Sequence, residues 1–252
     1  MIDIHSHILP GLDDGSQSWK ESIVMLRIAA QNGTTDIVAT PHANLDYPFN
    51  PDEVGDKIGE LKKRVGNEPR IHRGCDFHLS FDNIQDAVEN PGKYTINHKN
   101  YLLVEFSDLL IFNNTGDIFD HLIQAGMTPI ITHPERNYLL HQRISDLENW
   151  AAKGVLMQIT ALSYLGRFGR SAKRFGETLL EKGLVHFIAS DAHDPEDRTP
   201  DMADAYGYIS DRYGEHWAER LFTNNPGCTL TGEPIERSND LPAARKKWYQ
   251  VW

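Results

Sequence analysis

Four times along this chain an amphipathic stretch stops at a glycine, and an apolar run of strand length follows that finishes in polar or histidine side chains. The glycines are Gly33, Gly126, Gly154 and Gly183, and the runs after them cover 36–42, 128–133, 155–160 and 184–191. A glycine just past a helix takes the left-handed conformation that closes it. A short apolar run bounded in this way has the character of a strand buried on both faces of a parallel sheet. Similar runs at 2–5, 70–76 and 101–105 bring the total to about seven. Two helices between them are especially legible. Ser18 and Glu21 form a capping box ahead of Trp19, Ile23, Leu26 and Ala30, which share one face. Asn50-Pro51 opens another helix with Val54, Ile58 and Leu61 on one stripe. Alternating strands and helices mean a parallel α/β architecture. About seven such units in 252 residues favour a closed (β/α) barrel, one domain over 1–252, rather than an open sheet.

In a parallel barrel the carboxyl ends of all strands share one face, and sites are built there. The expected strands end in His5 and His7, in His42, in Asp76, in Glu105, in His133, and in Asp191 and His193. All eight offer nitrogen or oxygen and none is cysteine, a donor set that suits Mn²⁺, Fe, Zn²⁺ or Mg²⁺. They are too many for one ion, so a multinuclear centre is expected. His5 and His7, at i and i+2, share one strand face, and Asp191 and His193 repeat the arrangement. Taken singly, the other four read as helix caps or hydrogen-bonded side chains; their common position is the argument. Asp13-Asp14-Gly15 on its own reads as an ordinary turn.

Acidic residues outnumber basic ones by 36 to 25, for a net charge of −11. That excludes a general nucleic-acid or anionic-membrane binder, which needs a basic face. An anionic substrate then requires local positive charge, and two arginines supply it. Arg136 lies three residues beyond His133 and Arg198 five beyond His193, and the guanidinium fork matches a phosphate bidentately. Donors for metal plus two arginines at one face point to a phosphate ester. Cys75 and Cys228 are too few for a disulfide scaffold or a cysteine zinc site. Neither is followed six residues later by the arginine of a cysteine phosphatase, since those positions are Phe81 and Pro234. No glycine-rich phosphate loop, dinucleotide fingerprint or nucleophile elbow is present. Phosphoryl chemistry here must therefore be metal chemistry. No apolar run approaches the ~20 residues of a membrane span, and a strand from the first residues leaves no room for a signal peptide. A soluble, cytoplasmic protein is expected.

These residues carry a family resemblance. His5-Ser6-His7, His133 and Asp191-Ala192-His193 resemble the motifs of the polymerase and histidinol phosphatase (PHP) superfamily. The wider text is similar to one branch, the bacterial manganese-dependent protein-tyrosine phosphatases of capsule and exopolysaccharide operons. It includes residues 1–7, Asp13-Asp14-Gly15, Thr40-Pro41-His42, Val104-Glu105-Phe106-Ser107, His133-Pro134-Glu135-Arg136, residues 188–193, Tyr213-Gly214-Glu215 and Asn225-Pro226. The resemblance implies a distorted seven-stranded (β/α) barrel with a three-metal centre, Mn²⁺ by preference, at the carboxyl ends of the strands. It implies His5, His7 and Asp191 on a first metal, Asp76 bridging to a second, Glu105 and His133 completing the second, and Asp14, His42 and His193 on a third. Arg136 and Arg198 match the family's phosphate-gripping arginines. One position departs: the bridging carboxylate of the family is usually Glu, and Asp76 is one methylene shorter. His78, at the same strand parity, is an alternative donor.

The implied reaction is hydrolysis of phosphotyrosine by a hydroxide bridging two metals, with the arginines on the non-bridging oxygens. A tyrosine phenolate, with a pKa of about 10, leaves without a strong acid. The implied partner is a tyrosine autokinase that controls polysaccharide synthesis. Two rivals stay open: a histidinol-phosphate phosphatase or other small-molecule phosphoesterase on the same scaffold, and an inactive metal-binding adaptor. A C-terminal tail bearing Trp248 and Trp252 is expected to dock on the chain's own surface.

Overall fold

The structure is a computed structural model that describes residues 1–66, 68–236 and 240–244. Trp248 and Trp252 lie outside the described residues. The strands are β1 (Ile2–Ser6), β2 (Asp36–Ala39), β3 (His42–Ala43), β4 (Arg70–Arg73), β5 (Asp76–His78), β6 (Tyr101–Glu105), β7 (Thr128–Thr132), β8 (Leu156–Thr160) and β9 (Phe187–Ala189). Every ladder between them is parallel, so the α/β architecture expected from the alternation of elements is present. Helices separate most successive strands.

The seven expected strands correspond to nine segments because two of them are interrupted. The run 36–42 breaks at Thr40 and Pro41, where proline has no N–H to give to a ladder. The run 70–76 breaks at Gly74 and Cys75. A Cβ on Gly74 would fall 2.8 Å from Val38 Cγ1 and 3.0 Å from Thr40 Cγ2, so only glycine permits this approach. Across the gap single hydrogen bonds hold the segments, from Gly74 N to Ala39 O at 2.9 Å and from Asp76 N to Pro41 O at 3.1 Å. The consequence is two sheets, in the orders β1-β2-β4 and β3-β5-β6-β7-β8-β9. The free edge of β1 meets the chain just past β9 through Asp191 N to His5 O and His7 N to Ala192 O, both 2.8 Å. Among the described residues that contact is an isolated bridge and not a ladder.

The apolar runs carry no alternation because both faces are covered. Tyr101, Leu103, Ile130, Leu156 and Phe187 pack with one another. The intervening Leu102, Val104, Ile131, Met157 and Ile159 pack against helix residues such as Leu122, Leu179 and Leu180. Gly33, Gly126, Gly154 and Gly183 all sit at positive φ after their helices, which returns the chain to the sheet. Helix Trp19–Gln31 is capped by Ser18, but Glu21 accepts from Gln17 N at 2.6 Å instead of reaching Ser18 N. Its buried stripe is Ser22, Met25, Leu26 and Ala29, rotated from the expected one, with Trp19 and Ile23 at its edge. Helix Pro51–Val65 buries Val54, Ile58 and Leu61 as its spacing requires. Among the described residues no helix is long and apolar enough to cross a membrane.

Candidate metal and phosphate site

Parallel strands bring their carboxyl ends to one face, and the nine donor residues named from the sequence meet there in four overlapping groups. These are His7, Asp14, His42 and His193; His5, His7 and Asp76; His5, His133 and Asp191; and His42, Asp76 and Glu105. Within each group the donor atoms lie no more than 4.8 Å apart. Asp14 comes in from its turn to lie 3.3 Å from His42 Nε2 and 3.5 Å from His193 Nε2. The shorter Asp76 does reach the centre: its Oδ2 is 3.2 Å from His42 Nδ1 and 3.5 Å from His5 Nε2. His78 belongs to none of the groups. The grouping differs from the expected allocation. His7 groups with Asp14, His42 and His193 as well as with His5, His42 groups with Asp76 and Glu105 as well, and His133 clusters with His5 and Asp191 while lying 3.6 Å from Glu105 Oε1.

The residues behind the donors set their protonation. His5 Nδ1 faces Gln158 Oε1 at 3.0 Å, and His7 Nδ1 faces Asp13 Oδ2 at 2.7 Å. Each oxygen is an acceptor, so each Nδ1 carries a proton and Nε2 is the atom left to ligate. Burial opposes charge on His5, but the Asp76 and Asp191 carboxylates outweigh it and raise His5 to about 9, so its Nε2 must give up a proton to a metal. The two Nε2 atoms lie 3.2 Å apart, sharing a proton between them where a single cation could be held by both. His42 Nδ1 and Asp76 Oδ2, though 3.2 Å apart, are buried without an aligned hydrogen bond, which is costly for polar atoms unless something else binds them. Burial pushes the Glu105 carboxyl up to about 8, and the neighbouring Asp76 charge adds to the rise; a cation between the two would relieve it. Burial, with His193 beside it, holds His7 down near 4, so it stays neutral and able to ligate. An all-nitrogen-and-oxygen set with orphaned donors fits hard or borderline divalent ions.

Backbone conformation is unusual at two of these residues. His133 and Asp191 have φ of 33° and 51°, a left-handed region that non-glycine residues seldom occupy and that concentrates at functional sites. Asp3 helps to fix the second of these turns, since its carboxylate accepts from Ser190 N at 3.0 Å and Ser190 Oγ at 2.5 Å. Both arginines converge on one carboxylate oxygen: Arg136 Nη1 and Arg198 Nη2 each donate to Asp191 Oδ2, the latter at 2.6 Å.

A family model described as capsular polysaccharide synthesis, CpsB/CapC, matches residues 1–231. This chain belongs to the CpsB/CapC family. The capsule-operon resemblance drawn from its motifs is thereby borne out. CapC of Staphylococcus aureus is 35% identical over 99% of both chains. Tyrosine-protein phosphatase YwqE of Bacillus subtilis is 33% identical, again over 99% of each. A crystal structure from the study of YwqE from Bacillus subtilis and CpsB from Streptococcus pneumoniae, described as unique metal-dependent tyrosine phosphatases, superposes with a TM-score of 0.88. It is 33% identical and covers 97% of this chain and 100% of that one.

Several residues of this CpsB/CapC chain support the site without having been singled out for it in the sequence. Asp13, read there only as part of a turn, orients His7 and accepts His42 N at 3.1 Å. Gln158 and Asp3 are polar residues inside otherwise apolar runs, which is the signal that could have found them. Glu135 is fully buried and ties the His133–Arg136 turn to the end of β8, accepting from Thr160 N at 3.0 Å and Ser163 Oγ at 2.6 Å. Phe168 has no such signal. Its ring lies 4.5 Å from the Arg136 guanidinium carbon and 6.0 Å from that of Arg198, a shared aromatic platform beneath both cations.

Proposed function

We propose that this chain is a metal-dependent phosphatase that removes phosphate from tyrosine in a protein, and that the protein is a bacterial tyrosine autokinase of polysaccharide synthesis. The observation that carries the reading is the convergence of nine nitrogen and oxygen donors with two arginines aimed at the same carboxylate. The names of YwqE and CpsB as tyrosine phosphatases and the capsule role of the family support the substrate and the partner. His5, His7 and Asp191 would hold one ion, Glu105 and His133 a second with Asp76 shared, and Asp14, His42 and His193 a third, Mn²⁺ being the ion best suited. When bound, the ions supply Lewis acidity at the phosphoryl group and acidify water. Arg136 and Arg198 leave Asp191 to grip phosphoryl oxygens and offset charge as the P–O bond breaks. Gln158 and Asp13 keep His5 and His7 in the ligating tautomer throughout. Three divalent ions against the four carboxylates of Asp14, Asp76, Glu105 and Asp191 leave two positive charges, which explains how a protein of net charge −11 receives a dianion.

Two further points belong to this reading. The two sheets act as one distorted barrel of seven strands, supported by the hydrogen bonds that link β1 to the chain past β9. The compartment is the cytoplasm, in keeping with two unpaired cysteines. The test is kcat/KM for a phosphotyrosine peptide and for histidinol phosphate, side by side, with Mn²⁺ and with chelator. Chelator-sensitive preference for the peptide is expected. Preference for histidinol phosphate would keep the site and move the protein to a small-molecule substrate.

A further inference from the structure

Seven large apolar side chains stand exposed among the described residues, and five of them lie in the segments that follow the carboxyl ends of strands, four in loops and Tyr138 at the start of the short helix Tyr138–His141. Leu45 follows β3, Leu109, Leu110 and Phe112 follow β6, and Tyr138 follows β7. Leu45, Leu109 and Tyr138 are 91%, 89% and 71% exposed. Scattered exposed apolar residues need no explanation, but a concentration at one face marks an interaction surface. The Leu109 loop and the Tyr138 turn are locked together, because the Asn137 amide donates to Ser107 O at 3.0 Å and to Asp108 Oδ1 at 3.2 Å. Between them opens a cleft of about 110 Å³ whose walls include Glu105, His133 and Arg136. The apolar rim is thus continuous with the groups that receive the phosphate.

We propose that this rim, with Leu109 and Tyr138 at its centre, docks the polypeptide on either side of the phosphotyrosine by taking up a large apolar side chain within a few residues of it. The proposal rests on the phosphatase reading above and names the substrate sequence that site would select. A polypeptide is the occupant that fits. Asp108 and Asn137, in the wall of that cleft, are the sequence neighbours of Leu109 and Tyr138, so whatever covers the rim lies beside the phosphate-receiving groups, as the polypeptide around a phosphotyrosine does. A free small ester would have no use for apolar groups standing this far out in solvent.

The test uses the full chain with Mn²⁺ and three substrates: 4-nitrophenyl phosphate, a phosphotyrosine peptide flanked by leucine and phenylalanine, and the same peptide flanked by serine. The wild-type chain is expected to show a KM about tenfold lower for the apolar peptide than for the serine peptide, as burial of one such side chain provides. The double variant Leu109→Ser with Tyr138→Ser should erase that difference while kcat and the kinetics on 4-nitrophenyl phosphate stay unchanged. Equal KM for the two peptides in the wild-type chain would overturn the docking alone, as would a variant that slows all three substrates together. Sedimentation showing a dimer that the variant abolishes would assign the rim to a second copy instead. No turnover of any ester would strike the phosphatase reading and this proposal with it.

Discussion

The chain segments 36–43 and 70–78 each carry one polar cluster at their beginning and another at their end, and the two clusters behave oppositely. At the beginning, Asp36 Oδ1 accepts from Arg70 Nε at 2.7 Å and faces His72 Nε2 at 2.8 Å, while Oδ2 accepts from Arg70 Nη2 at 2.7 Å and Thr35 Oγ1 at 2.9 Å. His72 Nδ1 in turn faces the Asn97 amide at 3.2 Å. Every acceptor has a donor. At the end, His42 Nδ1 and Asp76 Oδ2 stand 3.2 Å apart without an aligned hydrogen bond, and His5 and His7 bring their Nε2 atoms within 3.2 Å of each other. The same residue types thus build a closed structural brace at one end and an unsatisfied, converging donor set at the other. Histidine and carboxylate together do not identify a site; donors left over after all protons are assigned do.

The difference is most sharply tested by breaking the upper cluster. Asp76→Ala should lower kcat/KM on the order of 10³-fold, beyond the 10–100-fold typical of groups that only hydrogen-bond to ligands, and elemental analysis should show metal lost. Its melting temperature should fall far more in the presence of Mn²⁺ than in the presence of chelator, because the ion stabilises only a chain that can bind it. A large fall in the chelated protein would mean that Asp76 is a brace like Asp36. Next in size is Arg136→Ala, expected to cost about 10²–10³ in kcat/KM with metal content unchanged and with weaker inhibition by inorganic phosphate. Phe168→Leu should follow at roughly 2- to 30-fold, the range of a cation–π contact, and Phe168→Tyr should restore it. Unchanged phosphate inhibition in Phe168→Leu would show that the arginines orient themselves without the platform.

What the sequence revealed and what it hid follow the same line. His42, Asp76, Glu105 and His133 were legible because each closes an apolar run of the sequence, which is a local property, although His42 and Asp76 turn out to open the short strands β3 and β5 beyond the breaks. That the strands pair in parallel needed no more than the alternation of elements. The breaks at Pro41 and Gly74 were not legible as breaks, and what requires glycine at 74 is the close approach of Val38 and Thr40 from the neighbouring segment. Asp13 and Asp14 are adjacent and chemically identical, yet one backs His7 and the other faces His42 and His193. No pattern within the turn divides those roles; only the positions of three distant histidines do. Phe168 is further still from legibility, because its meaning depends on two arginines contributed by other loops.

The smallest effect on activity, and the one that tests the lower cluster, belongs to Asp36→Asn. The substitution removes the charge that Arg70 and His72 share and should cost about 1–3 kcal/mol of stability at neutral pH, measured by urea unfolding, while kcat/KM stays within about twofold. Its pH dependence has a definite sign. Burial alone would raise the Asp36 pKa, but the hydrogen bonds from Arg70, His72 and Thr35 outweigh it and bring it down to about 2, against ~3.9 in an unfolded chain. A depressed folded pKa gives stability that is fully present above the unfolded value and is lost as pH falls from about 4 toward 2. The gap between wild type and Asp36→Asn should therefore be widest above pH 5 and narrow as the wild-type carboxylate takes up its proton. If the variant keeps its stability and loses metal or turnover, the two ends of these strands are not separate in function, and pairing of polar atoms would no longer tell a brace from a site.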